Sequence, residues 1–116
     1  MNEIQVNLRL EDKLAVLDLR GDVTALAEKR ITSAYERAVT QKLKAVILNF
    51  SSVGYINSAG MAIIISLLTK AQNGETKLCA FGLSSHFQKI FELVGLLKYI
   101  PHFESENEAR AYCVSA

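Results

Sequence analysis

The chain has 116 residues, half of them hydrophobic, and carries 13 basic against 12 acidic residues for a net charge of +1. A chain of this size buries a core without disulfide or metal staples, so a single domain over residues 1–116 is expected. The charges are balanced and dispersed, which leaves no electrostatic footprint for nucleic acid or an anionic membrane and makes a protein partner the better expectation. The longest apolar stretch, around Met61 to Leu68, is far below the roughly 20 residues of a membrane span. Met1-Asn2-Glu3-Ile4 lacks the regions of a secretory signal, so a cytoplasmic location without membrane insertion is expected.

In chain order, Ile4 to Leu10 alternates with Ile4, Val6, Leu8 and Leu10 on one side, and Leu14 to Leu19 continues as strand after Glu11-Asp12-Lys13. Three connecting residues force an antiparallel hairpin. Gly21-Asp22 is expected to end the second strand. Thr24 is a candidate N-cap for a helix reaching about Gln41, whose packed face carries Ala27, Ile31, Ala34, Tyr35 and Ala38. Ala45 to Phe50 is a continuous run of strand formers, the pattern of an interior strand covered on both faces. Ser51 to Ile56 fits neither period and reads as a short polar crossing. Asn57-Ser58-Ala59-Gly60 then offers two N-cap side chains, and from Met61 to Leu68 only Ser66 is polar, so the helix that follows is expected to be buried nearly all round. It should end near Asn73, with Gly74 as its C-cap glycine.

Thr76 to Phe81 reads as another strand, broken by Gly82-Leu83-Ser84-Ser85; Ser84 or Ser85 can cap a helix striped by Phe87, Ile90, Phe91 and Val94 that ends at Gly95. Leu96 to Ile100 is either irregular or a short edge strand stopped by Pro101. Glu104 to Glu108 opens a last helix, with Ala109, Ala111, Tyr112 and Val114 to bury. A hairpin followed by alternating helix and strand implies an α/β fold: a mixed sheet of four to five strands, the later ones parallel, with about four helices. Three segments, Gly21 to Thr24, Ser51 to Asn57 and Gly82 to Ser85, would then leave C-terminal strand ends at one edge, where open α/β sheets place their sites.

No catalytic spacing occurs: there is no GxSxG elbow, no phosphate-cradling glycine loop, no HExxH and no paired CxxC. No enzymatic activity, metal or cofactor is therefore expected. His86 and His102 are read as exposed or capping imidazoles, and Lys29-Arg30 as a solvated helix face. Cys79 and Cys113 are read as buried thiols rather than a disulfide or a metal pair. Asn49-Phe50-Ser51 matches a glycosylation sequon but stands in the central strand. Ser58 has two readings. A serine at a helix start is commonly a structural cap worth about 1 kcal/mol, yet an exposed hydroxyl there is also where an added phosphate meets free N–H groups and a favourable dipole.

Nearly the whole chain resembles the STAS domain family of bacterial anti-sigma factor antagonists. The resemblance rests on Leu17-Asp18-Leu19-Arg20-Gly21-Asp22-Val23, on Val46-Ile47-Leu48-Asn49-Phe50 followed by Ile56-Asn57-Ser58-Ala59-Gly60, and on an F-x-x-x-G-L-like segment within Phe87 to Leu97. The middle motif is the most specific. In the family it usually reads Asp-Ser-[Ser/Thr]-Gly, and its first serine, matched by Ser58, is phosphorylated by a partner that is both anti-sigma factor and serine kinase. Asn57 stands where the family usually has aspartate, and Thr24 where many members have one. Asparagine keeps the size and capping ability of aspartate and loses its charge.

The resemblance implies a STAS fold and a partner surface of Asp22, Thr24, Asn57, Ser58, Ala59, Gly60, Ser84 and Ser85. The unphosphorylated chain would bind a cytoplasmic anti-sigma factor and free its sigma factor; phosphorylation of Ser58 would block that binding and a serine phosphatase would restore it, the chain being a monomer or weak dimer. The alternative is a structural STAS subunit of a stress-signalling or lipid-transport complex, in which Ser58 is only a cap.

Overall fold

The computed structural model describes residues 2–114. A five-stranded sheet has the spatial order β1-β2-β3-β4-β5. Its strands are β1 (Gln5–Glu11), β2 (Leu14–Val23), β3 (Ala45–Ile56), β4 (Lys77–Phe81) and β5 (His102–Phe103), and its helices are α1 (Glu28–Val39), α2 (Ser58–Asn73), α3 (Ser85–Leu93) and α4 (Glu106–Val114). The β1–β2 pair is the expected antiparallel hairpin, and every later pairing is parallel. Ala45, Val46, Ile47 and Leu48 are fully buried, as a central strand requires, because β3 lies between β2 and β4 with helices on both faces.

Strand alternation divides the core in two. Ala15, Leu17 and Leu19 of β2, with Val46, Leu48 and Phe50 of β3, face α1, α2 and α3. Leu14, Val16, Ala45, Ile47, Cys79 and Phe81 face α4, which contributes Ala109 and Cys113. Beyond the short α4 the second face becomes polar: the next residues in those series are Asp18 and Asn49. Arg9 of β1 binds Asp18 through Nε at 2.7 Å and Nη2 at 2.9 Å, and reaches Glu106 of α4 at 3.1 and 2.9 Å. Asn49 donates to Asp18 Oδ1 at 2.7 Å, so the residue of the discarded sequon faces this network. Burial pushes the Asp18 carboxyl up, but the bonds from Arg9 and Asn49 outweigh it and hold the group below its usual range.

Several expected boundaries move. β2 does not stop at Gly21-Asp22; it passes through Gly21, whose φ of +112° only glycine adopts without strain, and ends at Val23. A Cβ there would also lie 2.6 Å from the Glu3 carbonyl oxygen. Ser51 to Ile56 is not an irregular crossing, because the lengthened β2 pairs with it from Arg20↔Ser52 to Val23↔Ile56. α2 does end at Asn73 with Gly74 as its C-cap, although the left-handed residue is Glu75, with φ 58°, and Gly74 has φ −93°. Leu96–Lys98 forms a 3₁₀ turn, and the edge strand follows Pro101 instead of preceding it. In α4 the buried residues are Ala109 and Cys113, while Ala111 and Val114 face outward. Among the described residues no helix is long and apolar enough to cross a membrane.

Candidate functional site

The site is built at the far end of the β2–β3 pair. β4 ends opposite Asn49, and from Phe50 to Ile56 β3 is paired, among the described strands, with β2 alone. At the tip the Asn57 N–H donates to the Val23 carbonyl at 3.2 Å, fixing where the chain leaves the sheet. The Asn57 side chain then accepts from the Gly60 N–H at 2.9 Å while its carbonyl accepts from Met61 N–H at 2.9 Å. Asn57 is therefore the N-cap, in extended backbone at φ −101° and ψ −176°, and Ser58 is the first helical residue. The cap role open to Ser58 is filled by its neighbour.

Ser58 is exposed, and among the described residues its hydroxyl takes part in no hydrogen bond. The N–H groups of Ser58 and Ala59, at the positive end of α2, have no intrahelical partner, and the first turn of α2 carries no acidic residue. Such a terminus accommodates negative charge. Gly60 explains how closely α2 approaches the sheet. A Cβ at that position would coincide with the Val23 carbonyl oxygen, so any side chain would push the helix start away from β2.

The remaining expected site residues fall into three groups. Asp22 is half-buried beside the tip, pairing across to Tyr55, and its carboxylate accepts from the Asn2 N–H at 3.1 Å. Thr24 is only 8% exposed and caps the 3₁₀ turn Ala25–Ala27 by accepting from Leu26 N–H at 3.3 Å, so its side chain is committed to the fold. Ser84 and Ser85 are exposed at the start of α3, where Ser84 Oγ accepts from Phe87 N–H at 3.3 Å. Their loop leaves β4 at the level of Asn49, and Gly82, at φ +84°, tucks against Ser51 at the lower part of β3. The structure thus joins Asp22, Asn57, Ser58 and Ala59 at one tip, and sets Ser84 and Ser85 lower on the sheet.

α2 is not buried all round. Ile63, Ile64, Leu67 and Ala71 face the sheet, but Ser58, Ala62, Ile65 and Thr69, spaced by four, three and four residues, form an exposed outer stripe. Ile65 is 44% exposed; Tyr55, two residues before Asn57, is 48% exposed; Leu26, in the 3₁₀ turn that packs against α2, is 86% exposed. Sequence reading missed these three because an apolar residue left exposed has the same identity as one covered by its own chain. A helix apolar on more faces than its sheet can cover was the available signal.

Two discarded candidates have defined roles. His102 is half-buried in β5, and its Nε2 accepts from the Leu83 N–H at 3.0 Å, so the proton of the neutral ring is on Nδ1 and the imidazole holds the loop after β4. Burial lowers its pKa, with Glu104 opposing. Cys79 and Cys113 are both free and buried, as expected.

Comparison with known proteins adds an independent observation. The STAS domain model matches residues 5–109. The anti-sigma-B factor antagonist of Listeria monocytogenes is 24% identical over 107 residues, spanning 90% of this chain and 91% of its own. A crystal structure of an anti-sigma factor antagonist from Mycobacterium paratuberculosis shares the fold with a TM-score of 0.83 at 17% identity, covering 97% of this chain and 95% of that one. The structure of the Bacillus cell fate determinant SpoIIAA in its phosphorylated form gives a TM-score of 0.73 at 19% identity, with 93% and 98% covered. The sheet order, the single antiparallel pair and the four helices are the architecture of these antagonist structures.

Proposed function

Because the chain belongs to the STAS domain family, with a model match from residue 5 to 109, we propose that it is an anti-sigma factor antagonist switched by phosphorylation of Ser58. In its unphosphorylated form it binds a cytoplasmic anti-sigma factor that is also a serine kinase, and so releases a sigma factor. A serine phosphatase returns the modified form to the binding state. The chain itself performs no catalysis in this reading; it supplies a surface and an acceptor hydroxyl.

The observation that carries the proposal is the division of labour at the head of α2, where Asn57 caps the helix and leaves the Ser58 hydroxyl exposed and unbonded at the start of the outer stripe that also carries Ile65. Exposed apolar groups such as Ile65 on the same stripe suit a protein partner, which removes their surface from water at about 25 cal/mol per Å². A phosphate on Ser58 brings about −1.5 to −2 charges to one end of that stripe. The fold tolerates the charge because the helix dipole favours it by roughly 0.3–1 kcal/mol. The partner must desolvate it against groups that accepted a neutral hydroxyl, which costs far more. The relative named as an anti-sigma-B factor antagonist and the SpoIIAA structure described as phosphorylated support the same reading.

Incubation with the cognate kinase and ATP, followed by intact-mass analysis, tests the modification. One added phosphate in the wild type and none in Ser58→Ala is the expected result. Equal phosphate incorporation by both would place the acceptor elsewhere.

A further inference from the structure

Cys79 in the middle of β4 and Cys113 on the inner side of α4 are 34 residues apart in sequence, yet their Sγ atoms lie 3.4 Å apart. Both side chains are buried, at 0% and 2% exposure, and both are free thiols. A disulfide needs the sulfurs to close from this separation to roughly 2.05 Å, a movement within reach of side-chain torsions. The surroundings of the two differ. Cys113 lines an open cleft of about 590 Å³ whose charged walls are Glu11, Asp12, Lys13, Lys44 and Arg110, the last paired with Glu11 and Glu106, whereas Cys79 lies behind it on β4. The S–H of Cys79 favours a thiolate on Cys113, against the effect of burial, and Lys77 and Arg110 add positive potential. The contact with Cys113, and after it burial, pushes the Cys79 thiol up. Of the two, only Cys113 borders the cleft, and Cys79 lies beside it at contact distance.

We propose that Cys113 and Cys79 form a peroxide-reactive dithiol, with Cys113 attacking a hydroperoxide that enters through the cleft and Cys79 resolving the product into a disulfide. In the first step the Cys113 thiolate attacks one oxygen of ROOH, the O–O bond breaks, and the sulfur becomes a sulfenic acid while RO⁻ leaves and takes a proton as ROH. The sulfur loses two electrons and the peroxide gains them. In the second step the Cys79 sulfur attacks the sulfenic sulfur; the S–S bond forms, the S–O bond breaks, and the hydroxide leaves with the Cys79 proton as water. The product joins α4 covalently to β4.

The test treats reduced full-length protein with hydrogen peroxide at neutral pH in the presence of a chelator, followed by alkylation in denaturant and intact mass. Loss of two hydrogens within a monomer, protection of both cysteines from alkylation and reversal by dithiothreitol are expected. Cys79→Ser should stop at a single added oxygen that a dimedone-type reagent traps, and Cys113→Ser should react at least about tenfold more slowly. Wild-type protein that stays fully alkylatable under conditions that oxidise free glutathione, or that links only between molecules, overturns the proposal. Should a serine variant fail to fold, the wild-type mass and alkylation pattern decide alone.

Discussion

Asn57 alone caps α2 and leaves the Ser58 hydroxyl unbonded, so the proposed modification of Ser58 would not remove the helix start. Asn57→Ala removes the side chain that accepts from Gly60 N–H and should cost about 1 kcal/mol in urea unfolding. Asn57→Asp keeps the cap and adds a negative charge where the dipole favours it. It should fold at least as stably as the wild type and be phosphorylated faster by a typical family kinase, since it restores the family's charge beside the acceptor. An unchanged or lower rate would show that asparagine is matched to this chain's own kinase. Gly60→Ala is a different kind of change, because its new methyl meets the Val23 carbonyl and not solvent. It should destabilise by roughly 1–3 kcal/mol, the cost typical of overpacking. Wild-type stability in that variant would mean that α2 starts farther from β2 than the structure places it.

Among the elements, the β2–β3 arm positions the tip, while two polar clamps attach the elements on its other side. The first is Arg9, which joins β1, Asp18 of β2 and Glu106 of α4 in one network, extended by Arg110 to Glu11 at 2.9 and 3.1 Å. Arg9 is the main reason that Glu106 titrates below its usual value of 4.5, and with Asn49 it holds Asp18 below 3.8. For a carboxylate lowered in the folded state, the stability it contributes is complete above the unfolded value and is lost as the pH falls through the folded one. Arg9→Met should therefore lower stability at neutral pH and flatten the loss seen in acid below about pH 4.5. An unchanged acid slope would remove Arg9 from the account. The second clamp is His102, whose neutral Nε2 accepts from Leu83 N–H. Its pKa lies below the ordinary 6.5, so protonation opposes folding: the contribution is complete above that value and declines as the pH drops through the folded one. His102→Gln, which can keep an acceptor near the same place without titrating, should flatten the dependence of the urea midpoint on pH below 6.5. A slope identical to the wild type would assign that dependence to another group.

For the molecule as a whole, what could be read from the residues followed from local physics. Ala45 to Leu48 is apolar on both sides because helices cover both faces of β3 there, and the hairpin follows from a connection too short for anything else. The continuation of β3 to Ile56 was hidden because register shifts between Asp18 and Arg20 and between Gly21 and Asp22 break the two-residue period, and because Ser51, Ser52 and Gly54 are weak strand formers. The outer stripe of α2 was hidden for another reason: composition records that Ala62 and Ile65 are apolar, not whether the sheet covers them. That Asp22, Asn57, Ser58 and Ala59 lie together could be read because they are consecutive or adjacent at strand ends. The placement of Ser84 and Ser85 depended on the unequal lengths of β3 and β4, which only the paired strands reveal. The central claim is that charge on Ser58 controls partner binding without disturbing the fold. Isothermal titration of the anti-sigma partner with wild type, Ser58→Ala and Ser58→Asp, each verified as folded by circular dichroism, tests it most directly. The account predicts that Ser58→Asp binds at least about tenfold more weakly, roughly 1.4 kcal/mol or more, while Ser58→Ala stays within a few fold of wild type. Equal affinity of Ser58→Asp and wild type would contradict it.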